Sequence, residues 1–437
     1  MSKEDTVEDI VNKHYEQYPY PERNPEDETR RLLPTVANFL AKINFYCFEG
    51  RSQFQNFRVL VAGAGTGDAI IFLAEQLRNK NAEIVYLDLS SVSMDIARRR
   101  AQVRGLNNIT WLQHSLLDIP KLDLGKFDYI NCSGVLHHLE DPEAGLKALV
   151  SALGEDGAMS IMVYGKYGRT GVYQMQELLR LINDNESNSG VKINNARKVL
   201  EELPSTNWFR RGVDIYGEPQ NIRDIELYDL LLHAQDRAYT VPELHDFIRS
   251  SGLNFVSFAC GEKHRYNPAY YTRNSPLREK IRKLDLKTQH AVAELWCGNI
   301  AKHIFYISKR TNTIAQLDDL DNVPFFFRNL DQRIFQAIIN NPGQEIGITL
   351  ADGTHHKIRL GLYNRQILRQ IDGKRSLGEV LDTAKGDINE PELSINALLE
   401  DFRPVYNWLN EMESLLLRHN SVEPYDSMQD MMARFKT

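Results

Sequence analysis

The chain has 437 residues, 42% of them hydrophobic and 25% charged, which is the balance of a folded globular protein and length enough for two or three domains. A net charge of -7 argues against a generic nucleic-acid binder, because neutralising phosphates needs concentrated positive charge. Cys47, Cys132, Cys260 and Cys297 form no C-x-x-C pair, which argues against a cysteine-based zinc site or a disulfide framework and fits a reducing compartment.

The opening MSKEDTVEDIVNKHYEQ is charged from its third residue and lacks the apolar run of a signal peptide. No stretch of about 18 apolar residues follows, so no membrane span is expected and the expected location is the cytoplasm. Residues 1–54 read as a helical cap. It holds a first helix, then Tyr18-Pro19-Tyr20-Pro21, whose X-Pro pairs favour extended backbone, then a helix through Phe39, Ile43 and Tyr46. From residue 57 strands and helices alternate: strands at 58–62, 83–88, 109–113, 127–132 and 158–164, helices at 69–78, 91–104 and 142–153. This alternation predicts a mostly parallel sheet covered on both faces. Residues 170–250 are a mainly helical insertion. Strands at 255–258 and 303–308 predict an antiparallel edge hairpin opened by a second insertion at 262–300. The polar run 311–322 reads as a linker between a domain at 55–310 and a smaller α+β module at 323–437. That module shows a β pattern around Ala351-Asp352-Gly353 and helices at 363–372, 376–384 and 391–417, the second capped by Ser376.

The strongest motif is Gly63-Ala64-Gly65-Thr66-Gly67-Asp68, between a strand and a helix, where glycines let the backbone approach a ligand. A dinucleotide loop reads G-x-G-x-x-G and cradles a pyrophosphate. Here Asp68 stands in the place of the third glycine. Its charge repels a pyrophosphate and attracts an ammonium, which favours S-adenosylmethionine over NAD. Asp88 ends the second strand, 21 residues after Gly67, where a carboxylate can accept from ribose hydroxyls. It can equally serve as a helix cap, unless Ser90 takes that role.

Five pieces in order, VLVAGAGTGDA, VYLDLS, QHSLLDIP, FDYINCSGVLHHLEDP and GAMSIMVY, resemble the class I S-adenosylmethionine-dependent methyltransferases over roughly residues 55–165. The resemblance implies a Rossmann-like doubly wound sheet. It implies Gly63, Ala64, Gly65 and Gly67 along the amino-acid part of the cofactor, Asp88 at the ribose, and Leu89, Ser115, Leu116 and Leu117 at the adenine. It places Cys132, Ser133 and Gly134 toward the methyl group, and a segment holding Tyr15 and Tyr18 over the cofactor. Val61 and Ser115 depart from the pattern, since that family usually carries acidic residues there.

Candidates for the chemistry lie after the fourth and fifth strands. His137 and His138 follow the fourth, and His137 can act as a base near neutral pH; no third ligand accompanies the pair, so no metal is expected. Tyr164 opens a glycine- and tyrosine-rich loop at 164–173. His233, Asp236 and Arg237 form a polar cluster that binds substrate or makes a buried network. Residues 362–381 weakly resemble winged-helix modules that bind peptides and the C-terminal domains of bacterial protein-lysine methyltransferases. The sequence therefore predicts methyl transfer to a nitrogen or oxygen nucleophile, with a protein or peptide side chain favoured over a small metabolite. The alternative of another class is a non-catalytic S-adenosylmethionine-binding regulator. The expected partner is the methyl acceptor, with no nucleic acid and no membrane, and the C-terminal module is a candidate surface for a homodimer.

Overall fold

Val59-Leu60-Val61 is a short branched apolar run, and it forms β1 (Arg58–Ala62), buried on both faces as a central parallel strand must be. The computed structural model describes residues 6–434 apart from 219, 220, 260, 262 and 389. Cys260 thus lies outside the described residues, while Cys47, Cys132 and Cys297 are free thiols. β1 pairs in parallel with β2 (Glu83–Asp88) and with β4 (Phe127–Ser133). β3 (Ile109–Gln113) extends one edge and β5 (Leu153–Gly165) the other, both in parallel. β5 begins earlier than expected because Leu153 pairs with Phe127 before the register shifts. The two-residue β6 (Ala238–Tyr239) pairs with the end of β5. β7 (Asn254–Phe258) and β8 (Lys302–Ser308) form the expected antiparallel edge hairpin. The strand order is β3-β2-β1-β4-β5-β8-β7, so its direction of growth reverses between β1 and β4. The carboxyl ends of those two strands are where such sheets bind ligands.

Three helices of the first insertion, Thr170–Ile182, Ser189–Glu201 and Asp224–Leu231, bury their own small core beside the carboxyl end of β5. Helix Val7–Gln17 opens the described chain, capped reciprocally by Thr6 and Asp9. Helix Leu40–Cys47 is buried along its whole length. Among the described residues no helix is long and apolar enough to cross a membrane.

The C-terminal module contains two small antiparallel pairs, β9 (Asn322–Phe326) with β12 (Leu415–His419) and β10 (Glu345–Thr349) with β11 (His355–Arg359). Its helices include Gln332–Asn340, Asn364–Gln370, Leu377–Gly386 and Ile395–Glu411. The last of these corrects the helix expected over 391–417. Glu413 takes φ 52°, which ends the helix, and Leu415, Leu416 and Leu417 are buried in a strand. The polar run before β9 is packed: Thr313 Oγ1 donates to the Tyr46 carbonyl at 2.8 Å, and Ala315 N donates to the Phe45 carbonyl at 2.8 Å. One apolar core runs from β1 through helix Leu40–Cys47 into the C-terminal helices.

Candidate active site

The loop after β1 is built for close approach. Gly65 has φ 52°, and a Cβ there would meet the Tyr20 carbonyl oxygen at 2.8 Å. Gly67 has φ 104°, and its Cβ would meet the Ala97 methyl at 2.9 Å. Thr66 Oγ1 donates to the Pro21 carbonyl at 2.6 Å, so the 20–21 segment roofs the loop.

Asp88 accepts from Gly65 N at 2.7 Å and Ser90 N at 2.9 Å. Ser90 Oγ caps helix Ser91–Val103 by accepting from Ser93 N at 3.1 Å, so the serine takes the cap and Asp88 faces the cleft. Burial raises the Asp88 carboxyl above its usual value against the pull of those backbone N–H groups.

Asp68 differs from expectation. It lines the cleft, but Arg23 donates to it at 2.8 and 2.6 Å and Arg100 at 2.8 Å. Burial pushes its carboxyl up, and the Arg23 hydrogen bonds and Arg100 charge outweigh this and hold it low. Asp68 is therefore a neutralised anchor of the loop, not a free anion awaiting an ammonium.

At the other end of the cofactor half, Leu89, Ser115, Leu116 and Leu117 line the cleft. Ser115 Oγ donates to Glu8 Oε2 at 2.8 Å. A carboxylate of the N-terminal helix thus lies beside position 115. Along β4, Asn131 and Ser133 line the cleft with Gly134, whereas Cys132 is fully buried in the core of the opposite face. This corrects the expected place of Cys132, because alternate side chains of a strand point to opposite faces. Burial pushes its thiol up to about 12.

The cleft encloses about 890 Å³ and continues past the glycine loop to Tyr15, Tyr20, His138, Tyr164, Asp229 and Lys302. Tyr164 is there as expected, its ring under the Arg169 guanidinium at 3.6 Å. Arg169 also pairs with Asp236 at 3.1 Å, and Gln176 donates to the same carboxylate at 3.0 Å. Asp236 is consequently buried behind the wall, and Arg237 is exposed outside it. Tyr18 turns away from the cleft, stacking on Tyr228 at 4.6 Å and donating to Ser189 Oγ at 2.9 Å.

His137 and His138 separate completely. His137 is fully buried against Tyr164, its two ring nitrogens without hydrogen-bond partners among the described residues, and it does not line the cleft. His138 does line it, with Nδ1 2.9 Å from the Gln235 carbonyl oxygen. Burial depresses His138 to about 4. His233 stacks behind His138 at 3.9 Å, and His14 lies beyond it at 4.8 Å.

Asp229, Glu226, Lys302 and Glu8 escaped the sequence reading. Asp229 accepts from Tyr15 at 3.4 Å, and burial lifts its carboxyl to about 6. Its signal was faint: one of three acids on a short helix, in a segment already dense in polar residues. His138, Asp229 and His233 bring one potential ligand atom each within 4.8 Å of one another. The two imidazoles stack at 26°, so their in-plane lone pairs run side by side and do not converge on one ion as they stand.

Residues 60–159 match a family described as a methyltransferase domain. An uncharacterised protein of Synechococcus sp. is 32% identical over 329 residues, covering 73% of this chain and 75% of that one. A ubiquinone biosynthesis O-methyltransferase of Acinetobacter baumannii is 28% identical over 91 residues, 21% of this chain and 37% of that enzyme. Among solved structures, PKMT2 from Rickettsia typhi in complex with AdoHcy is similar in fold over 92% of this chain and 76% of its own, with TM-score 0.57 and 17% identity.

Proposed function

The chain belongs to the class I S-adenosylmethionine-dependent methyltransferases, and from that premise we propose that it methylates a nitrogen or oxygen nucleophile on a protein or peptide side chain. The residues present suit the cofactor. Asp88 takes the Gly65 and Ser90 backbone N–H groups on separate oxygens, and the carboxylate has further lone pairs to offer a ribose hydroxyl. Gly63, Ala64 and Gly65 offer backbone close to the amino-acid part, and Leu89, Leu116 and Leu117 offer apolar surface for the base. When bound, the cofactor supplies a methyl group on a positively charged sulfur. The chain's own part is to orient the acceptor and keep water out.

The observation that carries the substrate class is the room in the cleft. Its volume of about 890 Å³ is lined, besides the residues of the cofactor half, by Tyr164, Asp229, Glu226 and Lys302, space and polar groups for an acceptor side chain. The C-terminal module gives a second support, because the likeness of fold to PKMT2 extends over nearly the whole chain.

The test is to incubate the purified full-length protein with methyl-labelled S-adenosylmethionine and cell lysate, then separate protein from small molecules. Label is expected in the protein fraction. Label confined to small molecules would replace the protein substrate with a metabolite. Tight cofactor binding with no transfer to either fraction would make the chain a regulator.

A further inference from the structure

Gln235 touches two imidazoles at once. Its carbonyl oxygen lies 2.9 Å from His138 Nδ1, and its backbone N–H points at His233 Nδ1 at 3.2 Å. A carbonyl oxygen only accepts, so His138 Nδ1 carries a hydrogen and the lone pair of the neutral ring sits on Nε2. A backbone N–H only donates, so His233 Nδ1 accepts and its hydrogen sits on Nε2. The backbone of one residue thus fixes two stacked rings in opposite tautomers. The side chain of Gln235 ties this loop to the turn carrying His138, donating to the Leu139 carbonyl at 3.2 Å. His138 and Asp229 both line the cleft, with a ring nitrogen of the one and a carboxylate oxygen of the other within 4.8 Å.

We propose that His138 Nε2 is the base that takes the N–H or O–H proton of the methyl acceptor, with Asp229 accepting from the remaining N–H of an amine acceptor and Gln235 and His233 acting as positioning residues. This rests on the methyl-transfer reading above. The step balances. The acceptor's X–H bond breaks and its proton goes to Nε2. A bond forms from X to the methyl carbon, and the carbon–sulfur bond breaks with its electron pair left on sulfur, which loses its positive charge as His138 gains one. The imidazolium keeps its Nδ1–H on the Gln235 carbonyl and gives its extra proton to water after product leaves.

The surroundings fit a base that stays unprotonated until it is used. Arg169 and Asp236 face His138 but neutralise each other, and His14 and His233 are held uncharged by burial. Asp229 lines the same cleft, where it faces Tyr15, Arg169 and Lys302 and is the carboxylate closest to hand for the imidazolium. His137 offers none of this, since it does not line the cleft.

Two measurements on the full-length protein decide the matter. With dialysed lysate protein as acceptor, His138→Asn is expected to slow single-turnover transfer at least 100-fold, while S-adenosylhomocysteine affinity by calorimetry stays within threefold. Arg237→Ala is expected to stay within twofold in rate. A His138→Asn rate within threefold of wild type overturns the proposal, as does a variant that loses cofactor affinity in step with rate. Nitrogen NMR of histidine-labelled protein, with the His138 signal assigned by its loss in that variant, is expected to show a neutral ring protonated on Nδ1 at pH 7 and at pH 5.5. His233→Asn should mix the two tautomers at His138. A His138 ring protonated on Nε2, or cationic at pH 7, overturns the proposal even if wild type methylates nothing in the lysate, an outcome that would otherwise sink only the proposed function.

Discussion

At the scale of single residues, Asp88 and Asp229 are two cleft carboxylates with opposite consequences. Asp88 accepts two backbone N–H groups and faces the cofactor half. Removing a charged hydrogen-bonding partner costs about 1.5–3 kcal/mol, roughly tenfold to a hundredfold in affinity. Asp88→Ala should weaken S-adenosylmethionine binding by that much in calorimetry, and Asp88→Asn by less; an unaltered Kd for the alanine variant would remove Asp88 from the ribose. Asp229 titrates near 6 in the folded chain against 3.8 for a free carboxyl, so the folded state holds the proton more tightly. Stability must then fall as pH rises from about 4 to 6, and at pH 7 the buried charge costs up to about 3 kcal/mol. Asp229→Asn should therefore raise Tm by several degrees at pH 7.5 and leave it nearly unchanged at pH 4, while slowing transfer. A variant that melts lower at pH 7.5 would refute this sign. Asp88 was legible because a strand end and a glycine loop fix its place. Asp229 was not, because its partner Tyr15 comes from helix Val7–Gln17, 214 positions away in sequence. The neighbours His137 and His138 show the same limit: no pattern in Leu-His-His-Leu says which ring a short turn will aim at the cleft.

At the scale of elements, periodicity decided what could be read. The strands of the sheet alternate or run apolar in ways a helix cannot use, and their parallel pairing and edge hairpin agree with expectation. Parity is what misplaced Cys132, since Asn131 and Ser133 share the cleft face and the cysteine takes the other. The stretch Leu415-Leu416-Leu417 satisfies helix and strand equally, and only its pairing with β9 resolves it. The turn before that strand also carries a buried ion pair. Lys42 of helix Leu40–Cys47 meets Glu413 at 2.6 Å with both side chains inaccessible, and donates to the Ala259 carbonyl at 2.9 Å, while the partly exposed Arg328 reaches the other Glu413 oxygen at 3.4 Å. Breaking one partner of such a pair costs about 3–5 kcal/mol because the other charge stays buried, whereas replacing both with apolar groups is often close to neutral. Lys42→Met alone should lower the denaturant midpoint sharply. Lys42→Met with Glu413→Leu should recover most of the loss. A single variant that loses less than about 1 kcal/mol would show the pair to be dispensable.

At the scale of the whole molecule, the question is whether the C-terminal module folds apart from the sheet. The polar run before β9 suggested a spacer, yet it is hydrogen-bonded to helix Leu40–Cys47. Phe39 meets Phe327 edge-on at 5.2 Å, and His264 of the second insertion lies 2.7 Å from Asp352 in the loop between β10 and β11. Phe39, Phe45 and Tyr46 belong to the same core as Phe325, Leu399 and Leu416. Each large apolar side chain uncovered by removing the module costs roughly 1.5–3 kcal/mol, and three of them already reach the whole stability of an ordinary domain. Lys42 would also lose Glu413, its ion-pair partner across that junction. The full chain should accordingly unfold in one calorimetric transition, with S-adenosylhomocysteine shifting all of it upward, because ligand binding at the glycine loop stabilises everything that unfolds with it. A chain ending at residue 322 should be insoluble or bind a hydrophobic dye. Two separated transitions, only the first of them moved by the ligand, together with a soluble and cofactor-binding 1–322 fragment, would show instead that the module is an independent domain resting on the enzyme.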